Sequence, residues 1–345
     1  MTRTTLFGTE LPIVQAPMAG AQAAAMAIAV SNAGGLGSLP CALLSRESLR
    51  EELAALREGT SKPFSVNFFC HAAPVPDPAR EAAWRARLAP YYAEFDIDPT
   101  TISAGAGRAA FDAAAADTLE SARPAVVSFH FGLPHAGLLA NVKSWGSKVI
   151  SSATTVDEAR WLEAHGVDAI IAQGVEAGGH RGMFLTDDLT TQVGTFAFLP
   201  QVVRAVRVPV IAAGGIADAR GVAAALSLGA AAVQVGTTYL RSPESLTSAI
   251  HRAALASEAS RHTALTNLFT GRPARGIVNR AIRELGPMNG AVPAFPLATG
   301  ALAPIRARAE ARGSGDFSPL WSGQNVSGCR EAPAARITRE LAGVA

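Results

Sequence analysis

The stretch PVIAAGGIADARGVAAALSLGAAAVQVGT (209–237) decides how this chain folds. It opens on a short apolar run, PVIAAGG (209–215), and closes on another, AVQVGT (232–237). Between them, DARGVAAALSLG (218–229) has the apolar spacing of a helix. Asp218 is placed to cap its first turn and Gly229 to end it. The two runs are continuous rather than alternating, which suits strands covered on both faces. A strand, a helix and a second parallel strand form a right-handed βαβ unit.

The same alternation recurs on the N-terminal side. PIVQAPM (12–18), GLGSLP (35–40), FSVNFF (64–69), VVSFHFG (126–132), KVISSA (148–153) and AIIAQG (169–174) read as strands. Helical patterns fill most of the gaps, among them RESLREELAALREG (46–59) and TTVDEARWLEAHG (154–166). In the latter Thr155 can cap the first turn, Glu158 holds the capping-box position, and Val156, Ala159 and Leu162 form one apolar stripe. Eight strands with helices between them are the count of a (β/α)8 TIM barrel. A doubly wound open sheet is the rival. The last four strands are tightly and regularly spaced, and polar, chemistry-capable residues recur at many strand C-termini. A barrel places its active site there, whereas an open sheet concentrates such residues at one switch point.

The expected organisation is an α/β barrel built from residues 1–70 and 123–256. Residues 71–122 are too long for one crossover and read as an inserted helical lid after the third strand, with helices around 78–95 and 106–117. Residues 257–345 read as a C-terminal extension covering the mouth.

Composition narrows the function classes. Hydrophobic residues make up 49% and charged residues 17%, so the chain has much to bury. A net charge of +2 gives no case for nucleic acid or an anionic membrane as partner. The start, MTRTTLFGTE, has no signal-peptide pattern, and the Ala-rich segment 21–30 is too short to span a bilayer. Three widely spaced cysteines suggest neither a disulfide framework nor a zinc site. The expectation is a cytoplasmic protein.

The strongest chemical signal lies at strands seven and eight. Gly214 and Gly215 end one, and Gly236 and Thr237 end the other. Glycines let backbone N–H groups approach an oxyanion, Thr adds a hydroxyl, and barrels often hold phosphate between these two loops. The plainer alternative is that the glycines only make tight turns. No GxGxxG follows an early strand and no Walker sequence occurs, which points away from a dinucleotide fold and toward a mononucleotide or a phosphorylated substrate. In QAPMAG, Met18 can lie against an aromatic ring or simply pack the core. Asn67 and Gln173, near strand ends, can hydrogen-bond a heteroaromatic edge. Of seven histidines, two have special context. His180, in VEAGGHRG (175–182), follows a glycine turn above the sheet and is the candidate acid–base group; His130, ending strand four, is a candidate substrate contact. Arg181 can pair with Glu176 or remain in solvent.

QAPMAG, VNFF, VSFHFG, AQGVEAGGHRG, AAGGIAD and QVGT, with FTGRPARGIVN after the barrel, resemble the nitronate monooxygenases of class I type, formerly called 2-nitropropane dioxygenases. The resemblance runs from about residue 10 to 285. It implies an FMN-dependent (β/α)8 enzyme that oxidises alkyl nitronates with molecular oxygen to a carbonyl compound and nitrite. By motif position, Asn67, Gln173, Gly178, Gly215 and the run Gln234, Val235, Gly236, Thr237 contact FMN, and His180 is the active-site histidine. Trp321 and Gln324, in FSPLWSGQN, look like the family's end region and could cover the flavin. The C-terminal segment AVPAFPLATGALAPIRARAE (291–310) departs from the family pattern in lacking tyrosines and a lysine. An FMN-dependent NAD(P)H reductase, acting on enoyl-acyl-carrier-protein or quinone, is the alternative. Apolar surface in the C-terminal region could support a homodimer.

Overall fold

Eleven strands can be followed in chain order through the computed structural model, which describes residues 6–102 and 108–344. They are β1 (Ile13–Gln15), β2 (Gly37–Pro40), β3 (Phe64–Phe69), β4 (Val126–His130), β5 (Lys148–Ala153), β6 (Ala169–Gln173), β7 (Gly179–His180), β8 (Val210–Ala213), β9 (Ala232–Val235), β10 (Thr263–Thr266) and β11 (Ala274–Ile277). Eight of them form one parallel sheet in the order β1-β9-β8-β6-β5-β4-β3-β2. The sheet closes on itself through a parallel bridge between Val14 and Leu36: Leu36 N–H donates to Ile13 O at 2.8 Å, and Gln15 N–H to Leu36 O at 2.9 Å. This is the (β/α)8 barrel, and every apolar run read as a barrel strand supplies one.

Successive strand residues face opposite sides, so each run builds two layers at once. In β6, Ile170 and Ala172 pack outward against the helices, while Ala169 and Ile171 fill the barrel interior. The same alternation carries Gln173 inward, just above Ile171. It likewise carries Asn67, Ser128, His130, Ser152 and Gln234 to the inner wall at one end, where all of them line a cavity. An apolar plug at the bottom and a polar ring at the top follow from the strand sequences alone.

The surrounding helices form where amphipathic spacing and caps agree. In Arg46–Gly59, Ser45 accepts the Ser48 N–H at 3.1 Å, and Leu49, Leu53 and Leu56 share the buried face. Thr155 caps Val156–Ala164 as expected. Glu158 does not close a capping box on the Thr155 N–H: fully buried, its carboxylate accepts instead from Thr154 N–H and Oγ1 and from the N–H groups of Phe184 and Leu185.

The two stretches outside the repeat meet in a second core. Trp84, Leu88, Tyr91 and Tyr92, on the helix Pro78–Glu94, pack with Leu268, Ile305, Ala309 and Phe317. The helix expected at 106–117 appears as Ala113–Ala122 and packs on barrel helices Arg46–Gly59 and Ala136–Ser144. Residues 106–107 of that expectation lie outside the described ones. β10, β11 and β7 form a separate antiparallel sheet, so the extension pairs directly with the glycine-rich loop. The last helix, Ala334–Leu341, packs on Ala24–Asn32 and Ala219–Ser227 through Ala334, Ile337, Thr338 and Leu341. It fills the eighth helical slot of the barrel. Among the described residues, no helix is long and apolar enough to cross a membrane.

Candidate active site

A cavity of about 380 Å³ opens at the C-terminal end of the barrel. Every residue expected from sequence to touch cofactor or substrate lies on its wall, as does Trp321; Gln324 does not, and its N–H is held by Glu176 O at 3.0 Å. Met18 stands on the β1 side, Asn67 on β3, His130 on β4 and Gln173 on β6. Gly178 and His180 come from the loop after β6, Gly215 from the end of β8, and Gln234, Val235, Gly236 and Thr237 from β9 and its continuation. Val235 turns its side chain into the helix layer, which leaves its backbone to the cavity.

The loop carrying His180 is anchored rather than bare. β7 pairs with β11, placing His180 opposite Ala274 and Gly179 opposite Arg275. Gln173 grips the loop with both ends of its amide: Nε2 donates to His180 O at 3.0 Å, and Oε1 accepts the Gly182 N–H at 2.8 Å. Arg181 neither pairs with Glu176 nor reaches solvent. It is completely buried and donates to Gln173 O and Gly174 O at 2.7 Å each and to Gln192 Oε1 at 2.9 Å. Burial lowers its pKa to about 9, which still leaves it charged at neutrality. Glu176 instead caps the helix Thr195–Ala205, accepting the Thr195 N–H at 2.8 Å.

His180 sits in an aromatic box. Its ring centroid lies 5.5 Å from Phe295, 5.6 Å from Trp321, 6.0 Å from Phe131 and 6.2 Å from Phe69. Enclosure by these rings holds its pKa well below 6.5, and the charge of Arg108 lowers it further. The imidazole is therefore neutral. Its Nε2 lies 2.9 Å from Thr270 Oγ1, whose own hydrogen points to Arg272 O at 3.4 Å. That assignment makes Nε2 the donor and leaves the Nδ1 lone pair with no partner among the described residues. His130 is held between Ser152 Oγ at 2.9 Å and His180 O at 3.3 Å. Burial takes its pKa to about 3, so it too is neutral, with Nε2–H on the carbonyl. In this arrangement it braces the His180 backbone.

At the far end of the cavity, Gly215 takes φ 71°, a conformation open to glycine. Among the described residues, the N–H groups of Gly215, Gly236 and Thr237 meet no acceptor. The loop after Trp321 closes over them: Gly323 N–H donates to Thr237 Oγ1 at 2.9 Å and Asn325 Nδ2 to Gly215 O at 2.9 Å. Gly178 must be glycine, because a Cβ there would lie 2.5 Å from Gly323 N. Unsatisfied N–H groups at glycine-rich strand ends fit an oxyanion. Along the wall, Asn67 Oδ1 meets no donor among the described residues, while Nδ2 donates to Ser128 Oγ at 3.1 Å. The Gln234 amide has no partner among the described residues. These groups fit the polar edge of a flat heteroaromatic ring.

Thr270, Phe131, Phe295, Arg108 and Arg272 were not singled out from sequence. All but Arg108 lie in quoted runs, Phe131 in VSFHFG, Thr270 and Arg272 in FTGRPARGIVN and Phe295 in the segment 291–310, but nothing local marks a side chain whose partner is far along the chain. Arg272 stacks on the Phe131 ring at 4.1 Å and adds positive charge beside both histidines.

A sequence model of a family described as nitronate monooxygenase matches residues 2–342. The nitronate monooxygenase of Pseudomonas aeruginosa is 42% identical over 340 residues, covering 98% of this chain and 97% of its own. That of Paraburkholderia phytofirmans is 41% identical over 339 residues, covering 97% and 92%. Among solved structures, the nitroalkane oxidase of Streptomyces ansochromogenes superposes with a TM-score of 0.88 at 39% identity, covering 97% of this chain and 96% of that one. FabK of Thermotoga maritima superposes with a TM-score of 0.69 at 30% identity, covering 96% and 92%.

Proposed function

This chain belongs to the nitronate monooxygenase family and oxidises nitronates, and from that premise we propose that it works with FMN and uses His180 Nδ1 to handle the substrate proton. When bound, FMN supplies the electron acceptor, and molecular oxygen is the co-substrate on the way to a carbonyl compound and nitrite. The FMN phosphate fits the free N–H groups of Gly215, Gly236 and Thr237. Asn67 and Gln234 serve the ring edge, Met18 flanks it, and Gln173 and Gly178 fix the loop above it.

The observation that carries the reading is the tautomer of His180. With Nε2–H given to Thr270, the free Nδ1 can accept the α-proton of a neutral nitroalkane. Being neutral, the ring cannot hold an anionic nitronate by charge; Arg108 and Arg272 supply the positive field instead. His130 acts through the His180 carbonyl. The free thiols of Cys41, Cys70 and Cys329 suit a reducing, cytoplasmic setting.

The test is to release and identify the chromophore of the purified protein by mass. FMN is expected, retained by His180→Asn and lost from Gly215→Val, where valine resists the left-handed backbone and crowds the phosphate. Full FMN in Gly215→Val, or a different flavin in the wild type, contradicts the assignment.

A further inference from the structure

A second cavity, of about 270 Å³, adjoins the first and shares Arg108, Arg306, Glu310, Pro319 and Trp321 with it. It begins beside the reacting histidine. Thr270, the hydrogen-bond partner of His180, lines its inner end. Trp321 stands at the junction, with its ring 5.6 Å from His180 and 5.5 Å from Phe269. A substrate carbon held at His180 therefore has this space open to one of its substituents.

The lining gives the chemistry of that substituent. Phe269, Leu302, Phe317 and Trp321 make the inner surface apolar. Thr299, Ala303 and Ala307 recur at i, i+4 and i+8 along one face of the helix Thr299–Ala311, and their small side chains leave the chamber open. The charge of Arg306 is met by Glu310 at 2.7 Å. The Arg108 guanidinium lies over the Phe295 ring at 5.5 Å, at the edge toward the first cavity. A liquid water takes about 30 Å³, so the chamber admits several heavy atoms.

We propose that this chamber is a substituent pocket, and that the enzyme prefers nitronates bearing an extended apolar arm, alkyl or aryl, over short ones. The inference rests on the nitronate-oxidising reading above, and deepens it by naming the substrate class.

The experiment is a kcat/KM series over ethyl, butyl and hexyl nitronate and the anion of phenylnitromethane. It uses the holoenzyme and its Ala303→Trp and Ala307→Trp variants. Both alanines are exposed, so a tryptophan at either can fill the chamber without entering a core. In the wild type, kcat/KM is expected to rise about two- to fourfold per methylene until the chamber is full. The variants are expected to lose about tenfold on hexyl nitronate while staying within about twofold on ethyl nitronate. Turnover of ethyl nitronate with a flat or falling series overturns the chamber and leaves the parent reading standing. So does a higher kcat/KM on a short nitronate with a terminal carboxylate than on hexyl nitronate, or an equal loss on all substrates in the variants. No turnover of any nitronate overturns both readings.

Discussion

In the proposed mechanism His180 serves as a base because its surroundings keep the proton off it. Burial among Phe69, Phe131, Phe295 and Trp321 holds its pKa well below 6.5. The acid limb of kcat/KM on neutral nitroalkanes should therefore lie well below pH 6.5, and a half-fall centred at 6.5 or above contradicts the buried, neutral imidazole. The same shift has a stability consequence. His130, and His251, whose Nε2 lies 3.0 Å from Trp321 O and whose burial lowers its pKa, titrate near 3 and 4 in the fold but near 6.5 when unfolded. The unfolded chain then takes up protons first, so their contribution is intact above about pH 6.5 and is lost as pH falls from there toward the folded values. Thr270→Val removes the acceptor that fixes the tautomer. Turnover of neutral nitroalkanes should drop about 10- to 100-fold, while preformed nitronates, which need no base, change far less. Equal losses on both would make Thr270 merely structural. His180 could be read from sequence because a glycine turn after an apolar run announces an exposed strand end. Thr270 could not, because only the fold brings it 2.9 Å from a residue so distant in the chain.

At the level of elements, the loop between β6 and β8 is the anchored carrier of His180. Arg181 ties it down from beneath through two backbone carbonyls and Gln192. Arg181→Met keeps much of the volume but removes the side-chain donor from Gln173 O and Gln192 Oε1, while Gly174 O keeps the Ala177 N–H at 3.1 Å. It should cost about 2–4 kcal/mol in chemical denaturation and lower turnover with it. An unfolding free energy unchanged within about 0.5 kcal/mol contradicts the anchor. The barrel strands were legible because continuous Val- and Ile-rich runs admit little else. β7, β10 and β11 were not. GH and ARGI carry no strand signature of their own, and their pairing is set by contact between distant segments. For the same reason the sequence offered Arg181 an ion pair or solvent, whereas the fold buries it against neutral carbonyls.

Across the whole molecule, the chain's end completes what its beginning starts. Ala334–Leu341 packs on the first barrel helix, and Thr338 Oγ1 lies 2.9 Å from the hydroxyl of Tyr239, just past β9. Ile337→Ala, at a site 1% exposed, should lower the stability of the entire barrel by about 2–5 kcal/mol in a single thermal transition. A separate early transition, or none, contradicts that role. The apolar composition foretold a large interior, but not its division into a barrel core and the second core beneath the helix Pro78–Glu94. That division depends on which segments fold back over the mouth, and periodicity does not encode it. The central claim, a flavin held so that substrate meets His180 at the barrel mouth, is tested most directly by anaerobic titration of the holoenzyme with an alkyl nitronate, followed by visible absorbance. The account predicts that nitronate alone alters the flavin spectrum and that air restores it, with His180→Asn still yellow but failing to respond to neutral nitroalkane. A flavin indifferent to nitronate yet rapidly bleached by NADH would contradict it and point to a reductase.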